Sequence, residues 1–121
     1  MGMVRAVRGA IQIESNDREA ILSGVTELVA QVMERNRLTT DDVISVIFTA
    51  TPDLTAEFPA LAARKLGFHN VPLICASEID VPDALPRVVR LMAHVEVDVP
   101  REQIQHVYLR GAVALRVDIA Q

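Results

Sequence analysis

The sequence predicts a single α+β domain in which two helices lie on one face of a mixed β-sheet. Three observations support this prediction. The chain has 121 residues, which is the length of one domain. Its apolar residues alternate between period-two and helical spacing in the order βαβαβββ. No repeat, linker or low-complexity tract divides the chain, so residues 1–121 are expected to form one domain.

The first strand is predicted over Val4 to Glu14. Val7, Ile11 and Ile13 share one face of this strand at period two. The opposite face carries Arg8 between two alanines, which leave space beside the arginine side chain.

An amphipathic helix is predicted to follow. Asn16 and Glu19, three residues apart, fit a capping box at its beginning. Apolar residues then recur at helical spacing until about Asn36. These are Ile21, Leu22, Val25, Leu28, Val29, Val32 and Met33.

The next two elements are a strand and a shorter helix. Val43 to Ala50 is apolar on both faces, which suits a central strand. The helix is predicted from about Ala56 to Leu66. Pro59 can be accommodated only in its first turn, and Gly67 is placed to terminate it.

Polar residues follow the apolar run that begins at Val71, at the point where the predicted strand leaves its sheet. They are Cys75, Ser77 and Glu78. Two prolines then punctuate the connection. The next strand is predicted over Arg87 to about Val97.

A turn around Pro100 and a last strand over Gln105 to Leu109 complete the sheet, and Gly111 to Leu115 forms a short apolar segment. With both helices on one face, the other face of the sheet would be half covered. We therefore expect that face to be buried against a partner subunit.

Composition excludes several classes of protein. No window reaches the roughly 18 apolar residues of a membrane span, and no signal peptide is visible at Met1. The single cysteine cannot form an internal disulfide, so a cytoplasmic location is expected. The net charge of −4 argues against nucleic acid as a partner.

Arginine dominates the basic residues: of twelve, only Lys65 is a lysine. Genomic base composition could account for the skew as a whole. Arg8 and Arg90 fit that explanation least well, because both interrupt predicted strands. Each either leaves the sheet toward solvent or lies in a cleft facing an anion, where a planar guanidinium suits a carboxylate.

Other kinds of site lack support in the sequence. The three histidines are scattered and none pairs with Cys75 at ligand spacing, so no metal site is expected. There is no glycine-rich phosphate loop and no local support for a catalytic triad. Taken alone, each remaining candidate has an ordinary structural explanation. Cys75 would be a small buried side chain, Glu78 a solvated carboxylate in a loop, and Tyr108 a half-buried side chain with its hydroxyl in water.

Five blocks of sequence form a recognisable pattern in this order: VRAVRGA, IFTATPDL with AEFPALAAR, VPLICASEIDV, LPRVVRLM and VPREQIQHVYLRGAVALR. Together they resemble the monofunctional chorismate mutases of the trimeric, pseudo-α/β-barrel type. The resemblance covers nearly the whole chain. It implies a homotrimeric pseudo-α/β-barrel that rearranges chorismate to prephenate. This reaction lies on the biosynthetic branch toward phenylalanine and tyrosine. It also implies active sites between subunits and no cofactor.

The resemblance also implies the site residues. Arg90 would bind the ether oxygen and a carboxylate, and Glu78 would accept the ring hydroxyl; these two are the expected catalytic residues. Arg8 and Tyr108 would bind the side-chain carboxylate. The other expected substrate-binding residues are Phe58, Arg64, Leu73, Ile74, Cys75, Ala76, Ser77 and Leu115. Of these, Arg64 would come from the neighbouring chain.

Two departures from the family pattern concern Leu61, where some members have a lysine, and the short tail after Arg116. The implied chemistry is unimolecular, which agrees with the lack of catalytic dyads. Two alternatives remain at this point. One is a trimeric carboxylate-binding or imine-hydrolysing protein of the Rid kind, and the other is an assembly module without a catalytic site.

Overall fold

The computed structural model describes residues 2–115, which form one five-stranded sheet with two α-helices. The strands are β1 (Met3–Gln12), β2 (Val43–Ala50), β3 (Leu73–Ser77), β4 (Val88–Val97) and β5 (Val107–Leu109). The helices are α1 (Arg18–Arg35) and α2 (Ala60–Lys65). Short 3-10 helices span Thr40–Asp42, Arg101–Gln103 and Arg110–Leu115. The predicted order βαβαβββ is confirmed.

The sheet is mixed, as predicted, with the strand order β3-β2-β4-β1-β5. The central strand β4 is antiparallel to both of its neighbours, β1 and β2. The outer strands are parallel to the strands that they flank, β3 to β2 and β5 to β1. Because β4 is paired along both edges, a side chain in its middle has a fixed place in the sheet.

Both helices lie on one face of the sheet, which confirms the predicted layering. Buried residues of α1 and α2 join those of all strands but β3 in one main core. Small residues allow the layers to approach: a Cβ at Gly24 would lie 2.6 Å from Cδ1 of Ile13. Leu28 and Phe48 are fully buried between the layers.

The N-terminus of α1 differs by one residue from the predicted capping box. Asp17, not Asn16, is the N-cap, and its side chain accepts a hydrogen bond of 2.8 Å from the backbone N–H of Ala20. The amide oxygen of Asn16 instead accepts from the backbone N–H groups of Thr55 and Ala56. The helix ends at Arg35 with Asn36 as its C-cap, as predicted.

The second helix is shorter than predicted, because the backbone N–H groups of residues just before it donate hydrogen bonds to side-chain oxygens. Asn16 accepts from residues 55 and 56, and the Glu57 carboxylate accepts from the N–H of Phe58. These bonds hold residues 55–58 outside the helix, and Pro59 becomes the N-cap. Gly67 follows α2 with φ of +103°, a conformation that favours glycine.

Two strands also begin two residues later than predicted. The strand expected from Val71 begins at Leu73, because Pro72 has no N–H to donate to β2. The carbonyl of Pro72 still accepts a hydrogen bond from the N–H of Val46. The last strand begins at Val107 because the N–H of Gln105 donates to the side chain of Asn36 at 2.8 Å. The tail after Arg116 lies outside the described residues.

The face of the sheet away from the helices is called the open face here. Its side chains belong to residues that alternate with the core residues along each strand. Several are apolar and exposed, including Ile47 at 41% and Ile74 at 60%. The strand predicted to be apolar on both faces, β2, therefore buries one face in the core and presents the other on the open face.

Candidate active site

A row of residues in cross-strand register crosses the open face. Arg90 of β4 pairs with Thr49 of β2 on one side and with Ala10 of β1 on the other. Ala10 pairs in turn with Tyr108 of β5. Residues in register point to the same face of a sheet, so Arg90 and Tyr108 lie on either side of the small Ala10 side chain.

Arg8 belongs to the next row on the same face, since it precedes Ala10 by two residues and pairs with Met92. Together these rows form a cavity of about 240 Å³. Its lining residues are Arg8, Gly9, Ile47, Thr49, Glu78, Arg90, Leu91, Met92 and Tyr108. The two arginines that interrupt the strands therefore lie in one cleft rather than at separate points on the surface.

Glu78 reaches this cavity from the end of β3. Its backbone N–H donates to the carbonyl of Ala50 at 2.9 Å, so the chain still follows β2 at this position. One carboxylate oxygen, Oε1, accepts from Thr49 Oγ1 at 2.6 Å and lies 3.2 Å from Nε of Arg90. Glu78 and Arg90 are half-buried, with side-chain exposures of 25% and 41%.

Arg8 contributes positive charge to the same cavity. Among residues 2–115 its guanidinium forms no ion pair, while its backbone N–H donates to Nδ1 of His106 at 3.0 Å. Tyr108 is buried, with 3% exposed, rather than half-buried as one reading of the sequence suggested. Leu115 packs against the small apolar cluster that contains Tyr108 and Ala10.

A second group of the predicted residues lies in another cavity, of about 440 Å³. Its lining includes Phe58, Cys75, Ala76 and Ser77. Phe58 is 70% exposed. Cys75 pairs with the buried Phe48, so its side chain points to the helix side of the sheet, away from Arg90.

The remaining predicted residues line neither cavity. Leu73 packs against the main core, Ile74 pairs with Ile47 on the open face, and Arg64 is exposed on α2. Within one chain, the predicted residues are therefore brought together only in part. Arg8, Glu78, Arg90 and Tyr108 share one cavity, and Leu115 lies next to them.

Thr49, Ile47 and Met92 line the cavity but were not selected from the sequence. Thr49 lies in an apolar strand, where a single threonine is ordinary. The only signal was its spacing of two residues from Ile47, which places both on one face. Strand register, which sets Thr49 beside Arg90, cannot be read from one strand alone.

Residues 2–115 contain neither a metal-binding cluster nor a membrane-spanning helix. No group of three or more His, Cys, Asp or Glu side chains there could hold a metal ion. None of the helices in that range has the length and apolar character needed to cross a membrane.

Comparison with known proteins identifies the family. The family model described as chorismate mutase type I matches residues 4–119. The chain belongs to the chorismate mutase type I family. Its activity class is therefore that of an isomerase, and the enzyme class and reaction predicted from the sequence are confirmed.

Named relatives of this chorismate mutase family agree over nearly the full length. The chain is 48% identical over 118 residues to chorismate mutase AroH of Thermus thermophilus, covering 97% of each chain. It is 42% identical over 119 residues to AroH of Bacillus subtilis (strain 168), covering 98% of this chain and 94% of the relative. These matches do not favour the Rid-like alternative.

A solved structure of the family has the same fold. It is a chorismate mutase from Clostridium thermocellum, with a TM-score of 0.89 and 44% sequence identity. The superposition covers 90% of this chain and 97% of the other. The predicted α+β fold of the chorismate mutase kind is thus confirmed.

Proposed function

We propose that this chorismate mutase rearranges chorismate to prephenate in the cavity that contains Arg8, Glu78, Arg90 and Tyr108. The observation that carries this assignment is the placement of Arg90. It lies in the paired central strand, is held by Glu78 at 3.2 Å, and faces the same cavity as Arg8. A fixed cation beside a second arginine suits a substrate that carries two carboxylates.

The reaction breaks one C–O bond while one C–C bond forms, and it moves no proton. Catalysis then depends on holding the substrate in a compact conformer and on donors aimed at the charge that develops on the ether oxygen. We assign the second task to Arg90. Arg8 and Tyr108 bind the side-chain carboxylate, and Glu78 accepts the hydrogen bond of the ring hydroxyl.

The proposal includes a homotrimer whose sites are shared between subunits. Two features support it. Eight of the predicted residues line two separate cavities, four of them around Arg90 and four around Phe58 and Cys75. The open face also exposes apolar side chains such as Ile47 and Ile74, which a neighbouring subunit would cover.

The second group would then close the substrate site of a neighbouring subunit. In this arrangement Phe58, Leu73 and Ile74 pack the apolar parts of the substrate, together with Leu115 of the chain that supplies Arg90. Cys75 lies beside the ring hydroxyl, Ala76 and Ser77 contact the substrate, and Arg64 lies near the ring carboxylate. All of residues 1–121 serve as one catalytic domain, which needs no cofactor and acts in the cytoplasm.

The test is to add purified protein to chorismate and to follow the loss of chorismate absorbance. We expect rapid loss with prephenate as the product. Turnover of imines or enamines without turnover of chorismate would instead support a Rid-like activity. A protein that binds no dicarboxylate and converts neither substrate would act as an assembly module.

A further inference from the structure

We infer that Thr49 is a positioning residue for this reaction, and that it acts by fixing the orientation of the Glu78 carboxylate relative to the Arg90 guanidinium. The inference rests on the proposed function of Arg90 and Glu78. Thr49 lies in register with Arg90 on one side and with Ala76 of β3 on the other, two residues before Glu78. Its side chain therefore lies next to both proposed catalytic groups.

The hydrogen bond from Thr49 to Glu78 is short. Oγ1 lies 2.6 Å from Oε1, within the usual range for a hydroxyl that donates to a carboxylate. A threonine hydroxyl carries one proton, so Thr49 is committed as a donor to this oxygen. Its β-branched side chain is also stiff about χ1, which fixes the direction of that donor.

The ion pair of Glu78 with Arg90 joins Oε1 and Nε at 3.2 Å. Among residues 2–115, neither Oε2 nor the terminal guanidinium nitrogens form a hydrogen bond. Oε2 therefore remains available to a substrate hydroxyl, and the terminal nitrogens of Arg90 remain available to the ether oxygen and a carboxylate.

An arginine and a carboxylate otherwise favour a bidentate contact, in which two nitrogens bind two oxygens. Without the Thr49 proton, Glu78 can turn both oxygens toward Arg90. That contact would remove the acceptor for the ring hydroxyl and turn the guanidinium toward Glu78. Thr49 thus keeps both groups available to the substrate, although it contacts neither of the reacting bonds itself.

The matched variants are Thr49→Val and Thr49→Ser. Valine keeps the shape and the branching but lacks the hydroxyl, whereas serine keeps the hydroxyl. A hydrogen bond to a charged group is typically worth roughly 10- to 100-fold. We expect Thr49→Val to lower kcat/KM by about that factor, mainly through kcat, and Thr49→Ser to recover most of it.

Ser45→Ala is the control variant, since Ser45 lies on the same strand and face but pairs with His94, away from Glu78. It should match the wild type. If Thr49→Val fails to fold, Thr49→Ala tests the same loss. The decisive measurement is a double-mutant cycle with Glu78→Ala, in which the effect of Thr49→Val should disappear.

Two outcomes would overturn the inference while the proposed function stands. One is an active wild type whose Thr49→Val variant has the same kinetics, and the other is an additive cycle with Glu78→Ala. A wild type that does not convert chorismate would overturn the proposed function and this inference with it.

Discussion

At the scale of residues, the site depends on which atoms of Arg90 and Glu78 touch. Nε of Arg90 lies 3.2 Å from Oε1 of Glu78, and the same oxygen accepts a hydrogen bond from the Thr49 hydroxyl. Arginine can pair with the Glu78 carboxylate and still offer its two terminal nitrogens to the substrate, because its guanidinium carries five N–H donors in a rigid plane. Lysine has one nitrogen, which Glu78 would hold.

Arg90→Lys is therefore expected to lose activity although it keeps the charge. Loss of one donor to a developing negative charge typically costs about 10²–10³ in rate, and we expect at least that in kcat measured with chorismate. The control is Arg35→Lys, at an exposed arginine of α1 that contacts Gln31. Near-normal turnover by Arg90→Lys would contradict the role of Arg90 as donor to the ether oxygen.

Residue patterns selected part of the site for a physical reason. Arg8 and Arg90 stood out because a charged side chain inside an apolar strand is costly unless it faces a cleft. Thr49 did not stand out, because a threonine is at home in any strand. Its importance comes from the pairing of β2 with β4, which brings Thr49 and Arg90 together although they are 41 positions apart in the chain.

At the scale of elements, the types and order were predicted but several ends were not. The strands and helices follow from apolar periodicity, which is a property of each segment by itself. The ends depend on which backbone donors find partners. Asn16 reaches residues 55 and 56, and Asn36 reaches Gln105, so distant side chains decide where α2 and β5 begin.

The N-cap of α1 leads to a prediction about stability and pH. Hydrogen bonds from the Ser15 hydroxyl and the Ala20 N–H keep the pKa of the Asp17 carboxyl below its ordinary value of 3.8. Its contribution is therefore present above pH 3.8 and is lost as pH falls below it. At pH 7, Asp17→Ala should lower the midpoint of thermal unfolding, because the cap is lost.

Asp17→Asn is the matched variant, since asparagine also caps helices but does not titrate. Its midpoint should lie below that of the wild type at pH 7, and the wild type should lose this advantage progressively as pH falls below 3.8. A difference between the two proteins that stays constant from pH 7 to pH 3 would show that the Asp17 charge does not contribute.

At the scale of the whole molecule, one chain presents the proposed site in two parts. The Arg90 wall is defined here as Arg8, Glu78, Arg90 and Tyr108, which share a cavity. Arg64 lies on α2 and does not line that cavity. The sequence predicted a partner for the open face, but which surfaces meet depends on the geometry of assembly rather than on periodicity.

Mixing two impaired variants tests whether a site is shared. In a cyclic trimer each subunit gives its Arg90 wall to one neighbour and its Arg64 to the other. Arg64→Ala and Arg90→Ala are each expected to be impaired alone. After both are unfolded together in equal amounts and refolded, random assembly leaves roughly one site in four intact. The mixture should therefore recover about a quarter of wild-type activity on chorismate.

The same-wall pair Glu78→Ala and Arg90→Ala supplies the control. The contact between these two residues lies within one chain, so no mixture of the two variants can assemble an intact wall. That mixture should show only the average of its components under the same refolding procedure. The Arg64→Ala and Arg90→Ala mixture could also show only the average although mass measurement verifies that the subunits exchange. In that case Arg64 and the Arg90 wall of each site belong to the same chain. The shared site would then be wrong, whereas the roles of Arg90 and Glu78 would stand.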